Sequence, residues 1–223
     1  MKYPNFFIAV LILSALSFEV TSNEFNRYQV TLLRASPGQL PELIAEVKKQ
    51  ESRSRQDILV MRHSQGDHWD LMLLMPAGAA LSKPVNYQQL VDFQHDFLST
   101  SEIDWPTLQK LSTNAGLFHV EMFHAAAGAY AGLLEQRKME NQYLEATQRK
   151  ANLIFETYSG SDVDLFTLGI YTDLQAFAAE PALPDEVFEK AATDAGFKSR
   201  SDIGFYLRRF LVAHQDTLAT QVK

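Results

Sequence analysis

The residues best suited to chemistry lie on one short stretch, Leu117 to Ala125, read as LFHVEMFHA. Its alternation of apolar and polar positions predicts a strand, which puts His119 and Glu121 side by side on one face. An imidazole beside a carboxylate can act as a base with an orienting acid, or can contribute two ligands to a metal. It can also be no more than a hydrogen-bonded polar patch. A metal would need a third oxygen or nitrogen, and Glu156 is the natural candidate. The same alternation in the following strands adds Tyr158, Thr167 and Tyr171 to the face of His119, Glu121 and Glu156. Phe118, Val120 and Met122 are expected to lie against the helices, and the polar set to look into a hollow. Arg137 falls on the inward stripe of the helix read over Tyr130 to Arg149. There it can hold a carboxylate ligand bidentately or pair with Glu140, three residues on. Thus His119 and Glu121 are the candidate catalytic pair, and Glu156, Tyr158, Thr167, Tyr171 and Arg137 the candidate ligand-binding set. No residue is committed to a metal and no cofactor is named.

The other histidines point less clearly. His214 falls on an apolar stripe with Ile203, Leu207, Phe210 and Leu211, expected to be the face of a last helix. His124 ends its strand, where an edge or capping role is the default. His63 and His68 flank a turn and are expected at the surface. Gly-x-Ser-x-Gly, the phosphate-binding loop, Gly-x-Gly-x-x-Gly and His-Glu-x-x-His are all absent from the sequence. His119, His124 and His214 offer no spacing that favours an axial haem ligand.

The elements that carry these residues occur twice. YQVTLLRASPGQLPELIAEVK (Tyr28 to Lys48) aligns without gaps on FHVEMFHAAAGAYAGLLEQRK (Phe118 to Lys138), pairing Val30 with Val120, Gly38 with Gly128 and Leu43 with Leu133. WDLMLLM (Trp69 to Met75) aligns with VDLFTLG (Val163 to Gly169). Each half reads strand, helix, strand, polar turn, strand. The turns are Ser64 to Asp67 and Ser159 to Asp162. The second half adds a short helix near Asp173 to Glu180, with Asp173 as its cap. The connection Pro76 to Gly116 is expected to hold helical pieces at Leu90 to Leu98 and Pro106 to Leu111. The segment Pro184 to Thr220 is expected to form two helices. In the first half Gln29 and Thr31 stand where the second has His119 and Glu121, so any pocket belongs to the second half.

Two such βαββ units, closed by YTDLQAFAAEPALP (Tyr171 to Pro184), resemble the ferredoxin-like dimeric α/β-barrel superfamily. Its branches include the NIPSNAP and EthD-like proteins, the antibiotic-biosynthesis monooxygenases and the chlorite-dismutase group. The segments LFHVEMFHAAAG, LLEQRKMENQYLEAT and DVDLFTLGIYTDL also resemble a group of uncharacterised bacterial proteins. The resemblance covers roughly Arg27 to Leu183. It implies an α+β fold in which two tandem units form a pseudo-dimeric α/β barrel within one chain, with extra C-terminal helices. The units are read as residues 27–116 and 117–223. The resemblance implies either a small-molecule pocket or a cofactor-independent monooxygenase- or isomerase-like enzyme using the His/Glu pair. A structural or oligomeric interaction protein is the third reading.

The composition bounds the partners. The 223 residues carry 20 Lys and Arg against 27 Asp and Glu, a net charge of −7, which argues against a nucleic-acid partner. Lys2 precedes an apolar run, Phe6 to Phe18, too short for a bilayer crossing of about 20 residues. It reads as a secretory signal cut after Ser22, so an exported, periplasmic or secreted protein without stable membrane insertion is expected. There is no cysteine, hence no disulfide, no thiolate metal site and no lipoprotein attachment. A small-molecule ligand is the expected partner, and a homo-oligomer is a further expectation.

Overall fold

The computed structural model describes residues 26–54, 58–78, 87 and 89–222. The signal reading, residues 1–22, lies outside them. No helix among the described residues is long and apolar enough to cross a membrane.

The first unit runs β1 (Asn26–Ala35), α1 (Leu40–Ser54), β2 (Leu59–Gln65), β3 (Leu71–Pro76), β4 (Val91–Ser101) and α2 (Trp105–Ser112). The second runs β5 (Leu117–Ala125), α3 (Tyr130–Ala146), β6 (Leu153–Ser159), β7 (Leu165–Tyr171), α4 (Leu174–Ala178), α5 (Asp185–Asp194), α6 (Asp202–Leu207) and β8 (Leu211–Gln221). The strands form one closed barrel in the order β1-β3-β2-β8-β5-β7-β6-β4, and every pairing is antiparallel. β4 joins its own β1 to β6 of the other unit. β8 joins its own β5 to β2. Each unit thus lends one strand to closing the other, and the barrel leaves no free sheet edge.

Two expectations change. Leu90 to Leu98 is not helical: from Val91 onward it lies in β4, where Phe93, His95, Phe97 and Ser99 alternate with Asp92, Gln94, Asp96 and Leu98. The second helix expected in Pro184 to Thr220 stops at Leu207. Beyond it, Leu211–Gln221 is β8. Its Ala, Gln and Leu content favours helix locally, but both β5 and β2 offer it a hydrogen-bonding edge, and tertiary pairing overrides propensity. Each unit is therefore βαββ plus a fourth strand.

The duplication is visible in detail. The Asp70 carboxylate accepts from the Ala35 N–H at 2.7 Å, and Asp164 does the same for Ala125 at 2.7 Å. The hairpin glycines are also equivalent. Gly66 (φ +127°) lies against the backbone of Asp216 and Thr217 on β8, and Gly160 (φ +93°) against Asp96 and Phe97 on β4. A side chain at either would meet the crossing strand's carbonyl, so both turns need glycine for conformation and for space.

The lumen is filled rather than hollow. Tyr28, Val30, Met72, Leu74, Phe97, Phe118, Val120, Met122, Phe155, Phe166 and Leu168 meet there in one buried cluster. The Phe155 and Phe166 rings stack at 4.6 Å, and Phe97 meets Phe166 edge-on at 6.1 Å. Each such ring contributes about 2–3 kcal/mol by leaving water. The opposite sheet faces carry the helices. Leu33, Leu71 and Leu73 pack with Leu43 and Val47 of α1, and Phe123 and Leu165 with Leu133 of α3 and Leu207 of α6. The sequence reading sorted the residues of β5, β6 and β7 into the correct two sets but exchanged their sides. The apolar set fills the barrel. The polar set of β5 and β7 lies outside it, beneath helices, because a closed eight-stranded barrel is just wide enough to be packed by its own side chains.

Candidate functional site

The outer face of β5 and β8 is built by two matching dipeptide patterns. On β5, His119 and Glu121 are two residues apart and so share a face. On β8, His214 and Asp216 do the same. The antiparallel register sets Glu121 directly opposite Asp216 and His214 opposite Phe123. On the other side of β5, Thr167 of β7 faces Glu121. Four ionisable side chains from neighbouring strands thereby meet under α3.

Their contacts form a continuous network. His119 Nε2 lies 3.0 Å from Asp216 Oδ1. His214 Nε2 stands 3.3 Å from Glu121 Oε1 and 3.7 Å from Asp216 Oδ1. The Thr167 hydroxyl donates to Glu121 Oε2 at 3.0 Å, and Arg137 Nη1 approaches the same oxygen at 3.5 Å. Arg137 also pairs with Glu140, as its position in α3 predicted, and its Nε donates to Gln136 Oε1 at 2.7 Å. The guanidinium lies over the Phe123 ring at 4.8 Å, and Phe123 stacks on His214 at 4.7 Å. Glu121 and Arg137 are only 8% and 3% exposed. α3 can bury an arginine because it is covered on two sides. Met139 and Tyr143 pack on Phe188, Ala191 and Ala192 of α5, while Leu133 and Arg137 face the sheet.

The charges settle one another. Burial would lower the pKa of His119, but its hydrogen bond to Asp216 and the negative field of Glu121, Asp216 and Glu140 raise it above the usual histidine value. Burial would raise Glu121, yet His214, Arg137 and His119 hold it below the usual carboxylate range. Asp216 is lowered by its hydrogen bond to His119, against the opposing effect of its own partial burial. Burial, then the charge of Glu121, raises Tyr171.

A cavity of about 490 Å³ opens between this face and the helices. His119 and Glu121 floor it, Tyr171 and Phe177 form an aromatic wall, and Arg149 and Lys150 bring positive charge to its lining. Phe177 lies 5.0 Å from the His119 ring and 5.2 Å from Tyr171. It is carried by α4, whose first turn is capped by Asp173 accepting from the Ala176 N–H at 2.7 Å.

Among the residues selected from sequence, His119, Glu121, Thr167, Tyr171 and Arg137 are gathered at this site. Thr167 and Arg137 serve by holding Glu121 rather than by lining the cavity. Glu156 does not belong to the group and cannot be the third ligand beside His119 and Glu121. It takes the hydroxyl of Tyr130 and lines a separate cavity of about 350 Å³ on the other flank of α3. β6 lies beyond β7, one strand too far from β5. Tyr158 is 49% exposed and lines neither cavity. The missed members are His214, Asp216, Gln136 and Phe177. Reading Leu211–Gln221 as a helix hid the His-x-Asp pattern that mirrors His-x-Glu. His124 has the edge role expected, its Nδ1 2.9 Å from the Asp162 carbonyl and its Nε2 3.2 Å from Gln215 Oε1.

No family model matches the chain, and no curated protein matches it by sequence. Solved structures do match its fold. An anthrone oxidase-like protein superposes with a TM-score of 0.61 at 11% identity, covering 91% of this chain and 94% of that one. A protein named as a monooxygenase from Fusobacterium nucleatum gives 0.53 at 7% identity, covering 89% and 93%. A mutant chlorite dismutase from Candidatus Nitrospira defluvii gives 0.51 at 13% identity, covering 90% and 92%. With two ferredoxin-like units closing one eight-stranded antiparallel barrel in a single polypeptide, the chain has the fold of the dimeric α/β-barrel superfamily.

Proposed function

We propose that the protein binds a small planar organic acid in the cavity between the outer face of β5 and the helices of the second unit. The observation that carries this reading is the lining itself. It combines the aromatic rings of Tyr171 and Phe177 and the cationic Arg149 and Lys150 with the imidazole of His119 and the carboxylates of Glu121, Glu140 and Glu180. Aromatic walls with a few convergent polar groups are what small-ligand sites require. A volume of about 490 Å³ suits a one- or two-ring molecule. The test is native mass spectrometry of the purified chain, followed by titration with a panel of aromatic carboxylates. Arg149→Ala and Phe177→Ala are expected to weaken binding separately. Indifference of both variants to every bound acid refutes the reading.

An enzyme is the second reading, carried by the imidazole of His119 within reach of anything held in the cavity. The names of two fold relatives, an oxidase-like protein and a monooxygenase, make oxidation the first reaction class to assay. The leader-like segment at residues 1–22 supports export, and N-terminal sequencing of the mature protein tests it. Homo-oligomerisation stays an expectation for sedimentation to settle. Among the described residues, the most exposed large apolar side chains are Phe205 and Val212, 75% and 73% exposed.

A further inference from the structure

We propose that His119, Glu121, His214 and Asp216 form a binding site for one divalent first-row transition-metal ion. The inference does not depend on the organic ligand. It starts from the separations between donor atoms. A metal with nitrogen and oxygen ligands at about 2.0–2.2 Å places neighbouring ligands about 2.8–3.6 Å apart, whether octahedral or tetrahedral. The observed edges are 3.0 Å from His119 Nε2 to Asp216 Oδ1, 3.3 Å from His214 Nε2 to Glu121 Oε1 and 3.7 Å from His214 Nε2 to Asp216 Oδ1. One ligand atom each from His119, Glu121 and Asp216 all lie within 4.8 Å of one another.

A second observation is independent of those distances. His214 Nε2 is buried and has no hydrogen-bond partner, although it faces both carboxylates and its side chain is only 11% exposed. A buried ring nitrogen aimed at two acceptors outside hydrogen-bond geometry is a costly arrangement unless something else binds it. A cation between them resolves it.

The surroundings fit the same occupant. Glu121 divides its two oxygens: Oε2 is held by Thr167 and Arg137, while Oε1 faces His214. Outer partners that orient a ligating carboxylate in this way are a regular part of metal sites. Two imidazoles with two carboxylates suit zinc, manganese or ferrous iron better than calcium or magnesium. Because His119 and Glu121 also floor the cavity, the ion would turn its remaining coordination positions toward the cavity's occupant.

The other half of the molecule supplies an internal control. Thr31 faces Asp96 across β1 and β4 as Glu121 faces Asp216 across β5 and β8. In that frame Gln29, Thr31 and Gln94 replace His119, Glu121 and His214. Of the four positions only the aspartate is shared, so the first half is not expected to bind.

The experiment is titration of the chelator-stripped chain with Co²⁺, read by its visible d–d absorption, and with Zn²⁺, read by calorimetry. One saturating equivalent is expected. His214→Gln and Glu121→Gln, with folding checked by circular dichroism, are expected to weaken it at least about 100-fold, since even outer-shell losses cost 10–100-fold. Gln94→Ala is expected to leave it unchanged. Absence of saturable binding by the unmodified chain overturns the proposal without any variant. So does binding that His214→Gln leaves intact. If no metal binds while aromatic acids still bind the stripped chain, the metal inference alone has failed. A metal bound without any effect of Arg149→Ala on acid binding counts against the organic-acid reading instead.

Discussion

Replacing Arg137 by valine tests whether the charged network beneath α3 is a unit. Valine is the residue that the first half uses at the equivalent position, Val47, which is fully buried in α1. The substitution removes the guanidinium 3.5 Å from Glu121 Oε2 and leaves a carboxylate that is 8% exposed. At an effective dielectric constant of about 20, the lost attraction is about 5 kcal/mol. Thr167 and His214 remain beside Glu121 and soften the loss. The expected cost is therefore about 3 kcal/mol, the lower end of what breaking a buried ion pair costs. For a chain of this length that corresponds to a fall of about 6–12 °C in melting temperature. The double variant Glu121→Thr with Arg137→Val copies Thr31 and Val47 and removes both charges together. It is expected to recover more than half of the loss, because no buried carboxylate is then left without its cation. The assay is urea unfolding of all three variants in chelator, set out as a double-mutant cycle. A single variant costing under about 1 kcal/mol, or a double variant equal to the sum of the two singles, refutes the reasoning.

Three further outcomes follow from the fold. Burial, helped by the charge of Asp104, pushes the Tyr28 hydroxyl from 10.0 up to about 12, while its proton is donated to the Ile103 carbonyl. The folded state thus holds this proton where the unfolded chain has released it. Stability is expected to fall as pH rises from about 10 to about 12, more gently in Tyr28→Phe, as read from melting curves across that range. Gly66→Ala places a methyl against the Asp216 carbonyl and Thr217 on β8. It should lower the melting temperature and also shift the chemical environment of His119 and His214 by NMR, whereas Gly78→Ala, with open space around it, should not disturb the histidines. Phe166→Ala empties the centre of the packed lumen and is expected to cost about 3–5 kcal/mol in denaturant unfolding, where a hollow barrel would lose far less.

How much of this was legible in the sequence depended on which interaction governed each segment. β5 was readable to the residue because alternation and local propensity agree across Leu117–Ala125. The capped turn at Asp173 was readable because a helix N-terminus is a local arrangement. β4 and β8 were not, because their extended form comes from partners far away in the chain. β8 in particular carries Ala213, Leu218 and Ala219 among glutamine and threonine, a composition that the edges of β5 and β2 convert into strand. The side of the sheet facing the lumen was also hidden. Alternation separates the two faces but does not label them, and only closure of the barrel makes Phe118, Val120 and Met122 interior. The Arg137–Glu140 pair was found because it lies within one helix turn. Asp216 and His214 were missed because the contacts that recruit them span about a hundred residues of chain. Glu156 was included in error for the complementary reason: sharing a sheet face does not bring together residues separated by an intervening strand.

The asymmetry between the halves bears on what the site is for. Buried ion pairs are weak contributors to stability, and well-packed apolar or neutral residues commonly replace them at no loss. Here the replacement is already present in the same barrel. Gln29, Thr31, Gln94 and Val47 occupy in the first unit the positions held by His119, Glu121, His214 and Arg137 in the second, and the first unit forms the same strands and helix without them. The fold therefore does not require the charged set. Its cost is met in the second unit by compensation from many sides: Thr167 and Arg137 on one carboxylate oxygen, Glu140 and Gln136 on the guanidinium, Phe123 stacked between arginine and imidazole. So much supporting structure around groups the architecture can dispense with is what a binding or reacting centre needs. The two copies also differ in build: each lends a strand to closing the barrel, and the second, with α4, α5 and α6 inserted before its last strand, carries the cavity beside His119.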